Sequence, residues 1–365
     1  MAEANERIVS QRPNPELDVQ SAFGSNRGQP ASQIQVIPYF SLELGGKRDA
    51  RLKKASAETD VKRASYGKTL DEVRIRVLEN LFSLKFRIKE EKLFSEAFSI
   101  IKRIEKQYRV KPRLSPDQEA SLYAFELSEA QYTVLLNRND QDKKILLNEL
   151  RIATGLDDST ILRAINSDST ASFRWPTISE LDRISKHEKS ADARLVDTEL
   201  KLSLSELELA RSYRWPTLRF GPQYQWNVDG ENKYESYGLA FAVPIPIFHT
   251  GRAEVVASET GYSLFLLQKS IVLNRISEEL KLELEGYQKS KQLFEEIQKK
   301  NEKIRSKHKR LEQLFLRGLV TATLVFEVHR QRIDFERSKF ETEMSGVVSL
   351  ARYLALQGAK VEDWL

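Results

Sequence analysis

The stretch TLRFGPQYQWNVDGENKYESYGLAFAVPIPIF occupies positions 217–248 and decides the fold class. Leu218, Phe220, Pro222, Tyr224, Trp226 and Val228 alternate with Thr217, Arg219, Gly221, Gln223, Gln225 and Asn227. A polar turn from Asp229 to Lys233 follows. Tyr237, Leu239, Phe241, Val243, Ile245 and Ile247 then alternate with Ser236, Gly238, Ala240, Ala242, Pro244 and Pro246. Side chains on a strand point to opposite faces with period two, so this is a β-hairpin. Each strand runs about 11 or 12 residues, enough to cross a bilayer when tilted. One face is large and apolar and the other small or polar, which suits lipid on one side and water on the other. The edge of a soluble β-sandwich gives the same alternation. Prolines at 38, 222, 244 and 246 argue against the closely paired interior of such a sandwich.

A second pair precedes it. Leu17, Val19, Ser21 and Phe23, then Ile34, Val36, Pro38, Phe40, Leu42 and Leu44, follow the same period. Each strand pair leads into a long segment of a different kind. Lys47 to about Lys111 contains no proline and only Gly67; Arg252 to about Arg317 contains no proline and only Gly261 and Gly286. A helix of that length runs roughly 100 Å, which predicts a coiled coil rather than an ordinary globular helix. Phe294, Ile297, Asn301, Ile304, His308, Leu311 and Phe315 form a heptad seam. After a break at Arg317 to Thr321, a returning helix carries Phe326, Ile333, Phe340, Val347 and Leu354 every seven residues. The first hairpin turns at Val110 to Pro116, where Ser115 caps the next helix and Pro116 takes its first position.

The wider composition fits this reading. With 58 Lys+Arg and 53 Asp+Glu in 365 residues, the net charge of +5 is spread along the chain and makes a weak case for nucleic acid. No apolar run approaches the roughly 20 residues of a spanning helix. A mean hydropathy of −0.49 is still compatible with a membrane β-barrel, whose strands alternate. The absence of cysteine excludes disulfides, thiolate metal sites and cysteine nucleophiles. There is no dinucleotide fingerprint, phosphate-binding loop, zinc-protease pair or serine elbow, so an enzyme is not expected.

The two halves match in order at offsets between about 202 and 205 residues, which predicts an internal two-fold repeat. Arg12 to Leu17 parallels Arg214 to Leu218; Leu44 to Arg48 parallels Phe248 to Arg252; the tips near Leu114 and Leu319 and the helix ends at Gly155 and Gly358 correspond. The expected organisation is a first repeat over 1–155, with a strand pair at about 16–45 and a helical hairpin at about 47–155. A connecting helical region over 156–213 follows, with a helical run from about Ser190 to Tyr213. The second repeat covers 214–358, with a strand pair at about 217–248 and a hairpin at about 251–356, and a tail spans 359–365. The polar start, Met1 to Arg7, carries no secretory signal.

Asn14-Pro15-Glu16-Leu17, Glu43 to Arg51, Val243-Pro244-Ile245-Pro246-Ile247-Phe248 and Arg317-Gly318-Leu319-Val320-Thr321 together resemble the TolC-type outer membrane factor family. The first two resemble its cobalt-zinc-cadmium (CzcC-like) branch. The resemblance implies a mostly α protein with transmembrane β: long antiparallel coiled-coil hairpins, and four strands per subunit in a homotrimeric twelve-stranded barrel. It implies an outer-membrane duct of a tripartite efflux system, without cofactor or resident metal. Its partners would be a periplasmic adaptor, an inner-membrane RND-type pump and outer membrane lipid, and no nucleic acid. Divalent metal cations are one class of cargo suggested by the branch. Members carry a signal and a helical hairpin before the first strand pair, so truncation or a misplaced start is expected here. The rival reading is a soluble coiled-coil scaffold, which has no need of four spanning-length amphipathic strands.

Candidate site residues follow. Arg113, Leu114 and Ser115 at one tip, and Gly318, Leu319 and Val320 at the other, read as exposed turns with an apolar residue each; by resemblance they meet the adaptor. The family's acidic string past the second tip is here Leu324-Val325-Phe326-Glu327, so Glu327 alone keeps the charge of a periplasmic constriction. Asp117 and Glu119 lie near the first tip, where Asp117 also suits the first turn of a helix. His308 and His329 flank the second tip on apolar stripes and read as packed seam residues, because two histidines without a carboxylate make a poor metal site. His187 and His249 are isolated and receive no role.

Overall fold

A computed structural model of the chain describes residues 2–26, 29–167, 173, 175–184, 190–317 and 319–359. The described elements run α1 (Ala2–Val9), β1 (Glu16–Asn26), β2 (Gln29–Glu43), α2 (Lys47–Arg109), α3 (Pro116–Thr154), α4 (Asp158–Ser167), α5 (Ile178–Ile184), α6 (Ala191–Tyr213), β3 (Thr217–Asp229), β4 (Asn232–Ala242), α7 (Arg252–Leu316) and α8 (Ala322–Leu356). The fold is mostly helical with one antiparallel four-stranded sheet in the order β1-β2-β3-β4. Two compact units emerge, one of residues 1–68 and 191–275, the other of 69–190 and 276–365.

In the first unit the sheet register places the alternating residues in continuous rows. Val19 pairs with Val36, Val36 with Tyr224 and Tyr224 with Tyr237. Phe40 pairs with Phe220 and Phe220 with Phe241. A one-residue slip in any strand would move its apolar set to the other face. The β2–β3 ladder is interrupted between Val36↔Tyr224 and Phe40↔Phe220, and the break contains Pro38 on one strand and Pro222 on the other. Neither can donate to the ladder, so the two missing donors share one site. β4 ends at Ala242. The strand expected to reach Ile247 stops there, two residues short of Pro244; Pro244 and Pro246 cannot donate to a ladder, even though Leu218 and Thr217 of β3 extend past Arg219, the partner of Ala242.

The helices of this unit bury small side chains. Ala50, Ala55 and Ala57 of α2, Ala191, Ala193 and Ser203 of α6 and Val255 of α7 are buried. Ion pairs Lys53–Glu208 at 2.9 Å, Lys68–Asp192 at 2.7 Å and Lys269–Asp197 at 2.7 Å flank the contacts. At the strand-to-helix junction Glu43 accepts a bidentate bond from Arg51. Lys47, at the start of α2, is buried, and its Nζ donates to Thr217 Oγ1 at 2.9 Å. That burial lowers its pKa.

The second unit holds the apolar core. Phe94, Ala97, Ile101 and Ile104 of α2 pack with Phe125 and Tyr132 of α3 and Ile333 of α8. The seven-residue stripe of α8 lies against the first hairpin: Phe340 stacks on Phe86 at 4.0 Å, and Phe326 meets Tyr132 edge-on at 6.4 Å. Spacing alone did not say which helix the stripe would meet. Phe294 of the α7 seam packs on Trp175 at 5.3 Å, from the connecting region. Trp175 also fills the space where Gly346 lacks a Cβ, and a Cβ there would lie 2.3 Å from the indole. Tyr287 Oη donates to the Pro176 carbonyl at 2.7 Å and closes this contact.

Candidate functional site

The sheet is inverted relative to a soluble protein. Its apolar face, with Leu17, Val19, Phe23, Tyr237, Leu239 and Phe241, is exposed. Phe23 and Tyr237 reach 78% and 77% exposure, while Asn227, on the polar face, is at 6%. Scattered exposed apolar residues are ordinary, but a continuous face of them calls for a lipid or protein cover. The opposite face carries Gln20, Gln33, Gln35, Gln223, Gln225 and Asn227 in adjoining rows. Gln223 Nε2 donates to Gln225 Oε1 at 3.3 Å, and Gln225 Nε2 to Asn227 Oδ1 at 2.8 Å. Ile37 is the one large aliphatic side chain of this face among the described residues, and it is buried. β1 and β4 are edge strands, and each presents a row of backbone donors and acceptors to a further strand.

The tips belong to the second unit. Ser115 is the N-cap of α3 in a complete capping box: its Oγ accepts from Gln118 N–H at 3.3 Å, and Gln118 Oε1 accepts from Ser115 N–H at 3.1 Å. Arg113 is exposed, whereas Leu114 is half-buried and presents less apolar surface than a free turn residue. At the other tip Leu319 is 68% exposed and Val320 half-buried. Gly318 lies outside the described residues. Leu319 N–H donates to the Leu314 carbonyl at 3.0 Å, the five-residue span of a Schellman turn. Thr321 caps α8, with its side chain accepting from Leu324 N–H. This cap has a local sequence signal, a threonine before an apolar run. Beside the tip, Ile304, Leu311, Val328 and Phe335 line an apolar groove of about 440 Å³ between α7 and α8.

Glu327 is half-buried on the first turns of α8, where Arg330 and Gln331 each donate to its Oε1 at 3.0 Å. The Arg330 bond, then the Gln331 bond, hold its pKa below the usual glutamate value. Asp117 and Glu119 fall in the first turn of α3. His329 is buried on α8. The side chain of His308, and His187 altogether, lie outside the described residues. His249 is exposed beside Glu254 at 3.2 Å. Among the described residues no group of three His, Cys, Asp or Glu side chains is placed to hold a metal ion. No described helix is long and apolar enough to cross a membrane.

One charged cluster was not anticipated. Glu90 of α2, 1% exposed, accepts from Arg337 of α8 at Nε, 3.2 Å, and through its terminal nitrogen, and from Arg87 at 2.6 Å. Arg87 also pairs with Asp142 of α3 at 3.2 Å, and Asn139 Nδ2 donates to the Arg87 carbonyl at 2.9 Å. A glutamate on a 63-residue charged helix gives no sequence signal that it will be buried.

The amide face, the exposed apolar face and the hairpins can be set against solved proteins. The fold is that of outer membrane channels. The Campylobacter jejuni CmeC outer membrane channel superposes with a TM-score of 0.73 at 15% identity, over 98% of this chain and 80% of that one. The outer membrane protein VceC from Vibrio cholerae gives 0.70 at 11%, over 99% and 90%. The open state of the Neisseria gonorrhoeae MtrE outer membrane channel gives 0.64 at 12%, over 99% and 85%. No protein-family model matches the chain, and no curated protein matches it by sequence.

Proposed function

We propose that this chain is a subunit of a TolC-type outer membrane duct, passive and without cofactor, that discharges solutes driven by a pump elsewhere. The observation that carries the reading is the inverted sheet, apolar outside and amide-lined on the other face, with both edges unpaired, in a fold shared with outer membrane channels along nearly the whole chain. Closed barrels are the one β architecture that survives in lipid, because an open edge there leaves backbone groups unsatisfied. In this reading three copies join edge to edge, β4 to β1, into a twelve-stranded barrel in the outer membrane. The two strand-and-hairpin halves are repeats of one unit, divided near residues 155 and 214. The helical hairpins extend into the periplasm.

The tips, Arg113 to Ser115 and Gly318 to Val320, are the surfaces offered to a periplasmic adaptor of an RND-type pump, and Glu327 narrows the mouth. The cobalt-zinc-cadmium branch, with divalent cations as cargo, rests on the Asn14 to Leu17 and Glu43 to Arg51 motifs alone. The test is expression behind an export signal. The protein is expected in the outer membrane fraction, extractable only with detergent, as an oligomer on unheated gels that dissociates on heating. It is expected to form ion-conducting pores in planar lipid bilayers. A soluble, monomeric product without pore activity overturns the reading.

A further inference from the structure

The amide face bears on what such a duct would admit. Two complete cross-strand rows lie between the row of Asp18 and the row of Asp229. One row is Gln20, Gln35, Gln225 and Ser236; the next is Ala22, Gln33, Asn227 and Tyr234. Gln223 adjoins them on β3. Neither row contains a charged side chain. The charges of this face lie outside these two rows: Asp18 and Asp229 stand in the rows that border them, with Gln20 Nε2 donating to Asp18 Oδ2 at 3.2 Å, and Glu16, Glu43 and Arg219 lie beyond Asp18. Two of those are mutually neutralised, as Arg219 pairs with Glu16 at 2.9 Å.

Each carboxamide offers two donors and one acceptor oxygen, so the rows bond equally to anionic, cationic and neutral polar groups. Along β3 the amides are chained in one direction, from Gln223 through Gln225 to Asn227. The chain ends on Asn227 Nδ2, a buried donor with no partner among the described residues. A ring of carboxylates would instead attract cations and a ring of lysines or arginines would attract anions.

We propose that the carboxamide rows are the solute-contacting band of the barrel, and that they pass polar, hydrogen-bonding solutes without regard to the sign of their charge. The proposal rests on the duct reading above. It places charge selection outside the barrel band, and it gives Gln35 and Gln225 the role of setting the band's neutrality. Within the two rows a divalent cation would meet amide oxygens, the nearest carboxylates being those of Asp18 and Asp229 in the bordering rows.

The experiment uses the full chain, assembled and reconstituted in planar bilayers under a potassium chloride gradient. Gln35→Glu and Gln35→Lys are expected to shift the reversal potential in opposite directions from the native value, Glu toward cation preference and Lys toward anion preference. Gln225→Cys keeps the test independent of folding, since the native chain has no cysteine and the reagent can be added after assembly. A cationic and an anionic thiol reagent are then expected to move the reversal potential in opposite directions. Pores with native reversal potential in both Gln35 variants, and after both reagents, overturn the band proposal while leaving the duct intact. Absence of pores from the native chain overturns the duct reading itself.

Discussion

Gly45 adopts φ +73°, and a Cβ at that position would lie 2.4 Å from Cδ1 of Trp215. The junction of β2 with α2 therefore turns on a residue that needs both a left-handed backbone and the absence of a side chain. Gly251, where the chain enters α7, has φ +66° and lies against Arg214, the neighbour of Trp215. Gly45→Ala is expected to cost about 1–2 kcal/mol for the backbone conformation alone. Displacement of the indole adds to that. In a double-mutant cycle with Trp215→Ala, the two losses should be less than additive, because removing the indole relieves the clash with the ring, while the contact with Trp215 Cβ at 2.6 Å and the backbone strain remain. Thermal dissociation of the detergent-purified oligomer measures it; strict additivity would show that the two residues do not contact.

Phe241→Arg is expected to destabilise the assembled protein by roughly 2–4 kcal/mol per subunit if the residue lies at mid-bilayer. Ala240→Arg, one residue earlier, falls on the face of Gly221 and Glu16 and should be tolerated or should change conductance. Urea-induced unfolding in lipid vesicles separates the two. Equal losses would mean that the register is wrong.

Glu90→Ala removes the shared acceptor of Arg337 and Arg87. Both guanidinium groups are partly exposed, at 40% and 32%, and can rehydrate. The expected loss is therefore about 1.5–3 kcal/mol, the scale of charged hydrogen bonds, rather than that of a fully buried pair. Glu90→Gln should recover part of it. Circular dichroism melts of the helical signal would record the order native, Gln, Ala; a melt unchanged by Glu90→Ala would show that the cluster contributes no stability.

Glu327 is held in its charged form by Arg330 and Gln331, so its pKa lies below the ordinary glutamate value. Its charge is complete above the ordinary glutamate value and is lost only as pH falls through the lowered one. A contribution of Glu327 to cation preference should therefore persist at pH 5 and fade only in stronger acid. Comparing native pores with Glu327→Gln pores across that range tests it. Indistinguishable reversal potentials at every pH would leave Glu327 as an ordinary helix residue.

Leu319→Asp is expected to abolish adaptor crosslinking and efflux while the oligomer remains in the outer membrane. An apolar residue at 68% exposure gains roughly 1.5–3 kcal/mol on full burial, and three copies multiply the contact. Leu114→Asp should do less, since Leu114 is already half-buried within its own hairpin. Full crosslinking and resistance with Leu319→Asp would place the partner surface elsewhere.

The elements were readable from local patterns because each has its own period and punctuation. Alternation at Leu218 to Val228, the proline-free runs after Lys47 and Arg252, Ser115 before Pro116, and the glycines at 155 and 358 all act within a few residues. Gly155 and Gly358 take φ +71° and +74°, as helix ends require. The exposed apolar sheet face was legible for the same reason, since period two needs no knowledge of partners. Other features depended on residues far apart in sequence. The coincidence of Pro38 and Pro222 in one ladder break, the burial of Glu90 under Arg337, the α8 stripe meeting Phe86 and Tyr132, and the seat of Trp175 over Gly346 join positions 171 to 254 residues apart. A charged or aromatic residue on a long helix carries no local mark of which neighbour it will meet. Only packing assigns that partner, because burial and ion pairing are gained by the pair and not by either residue alone.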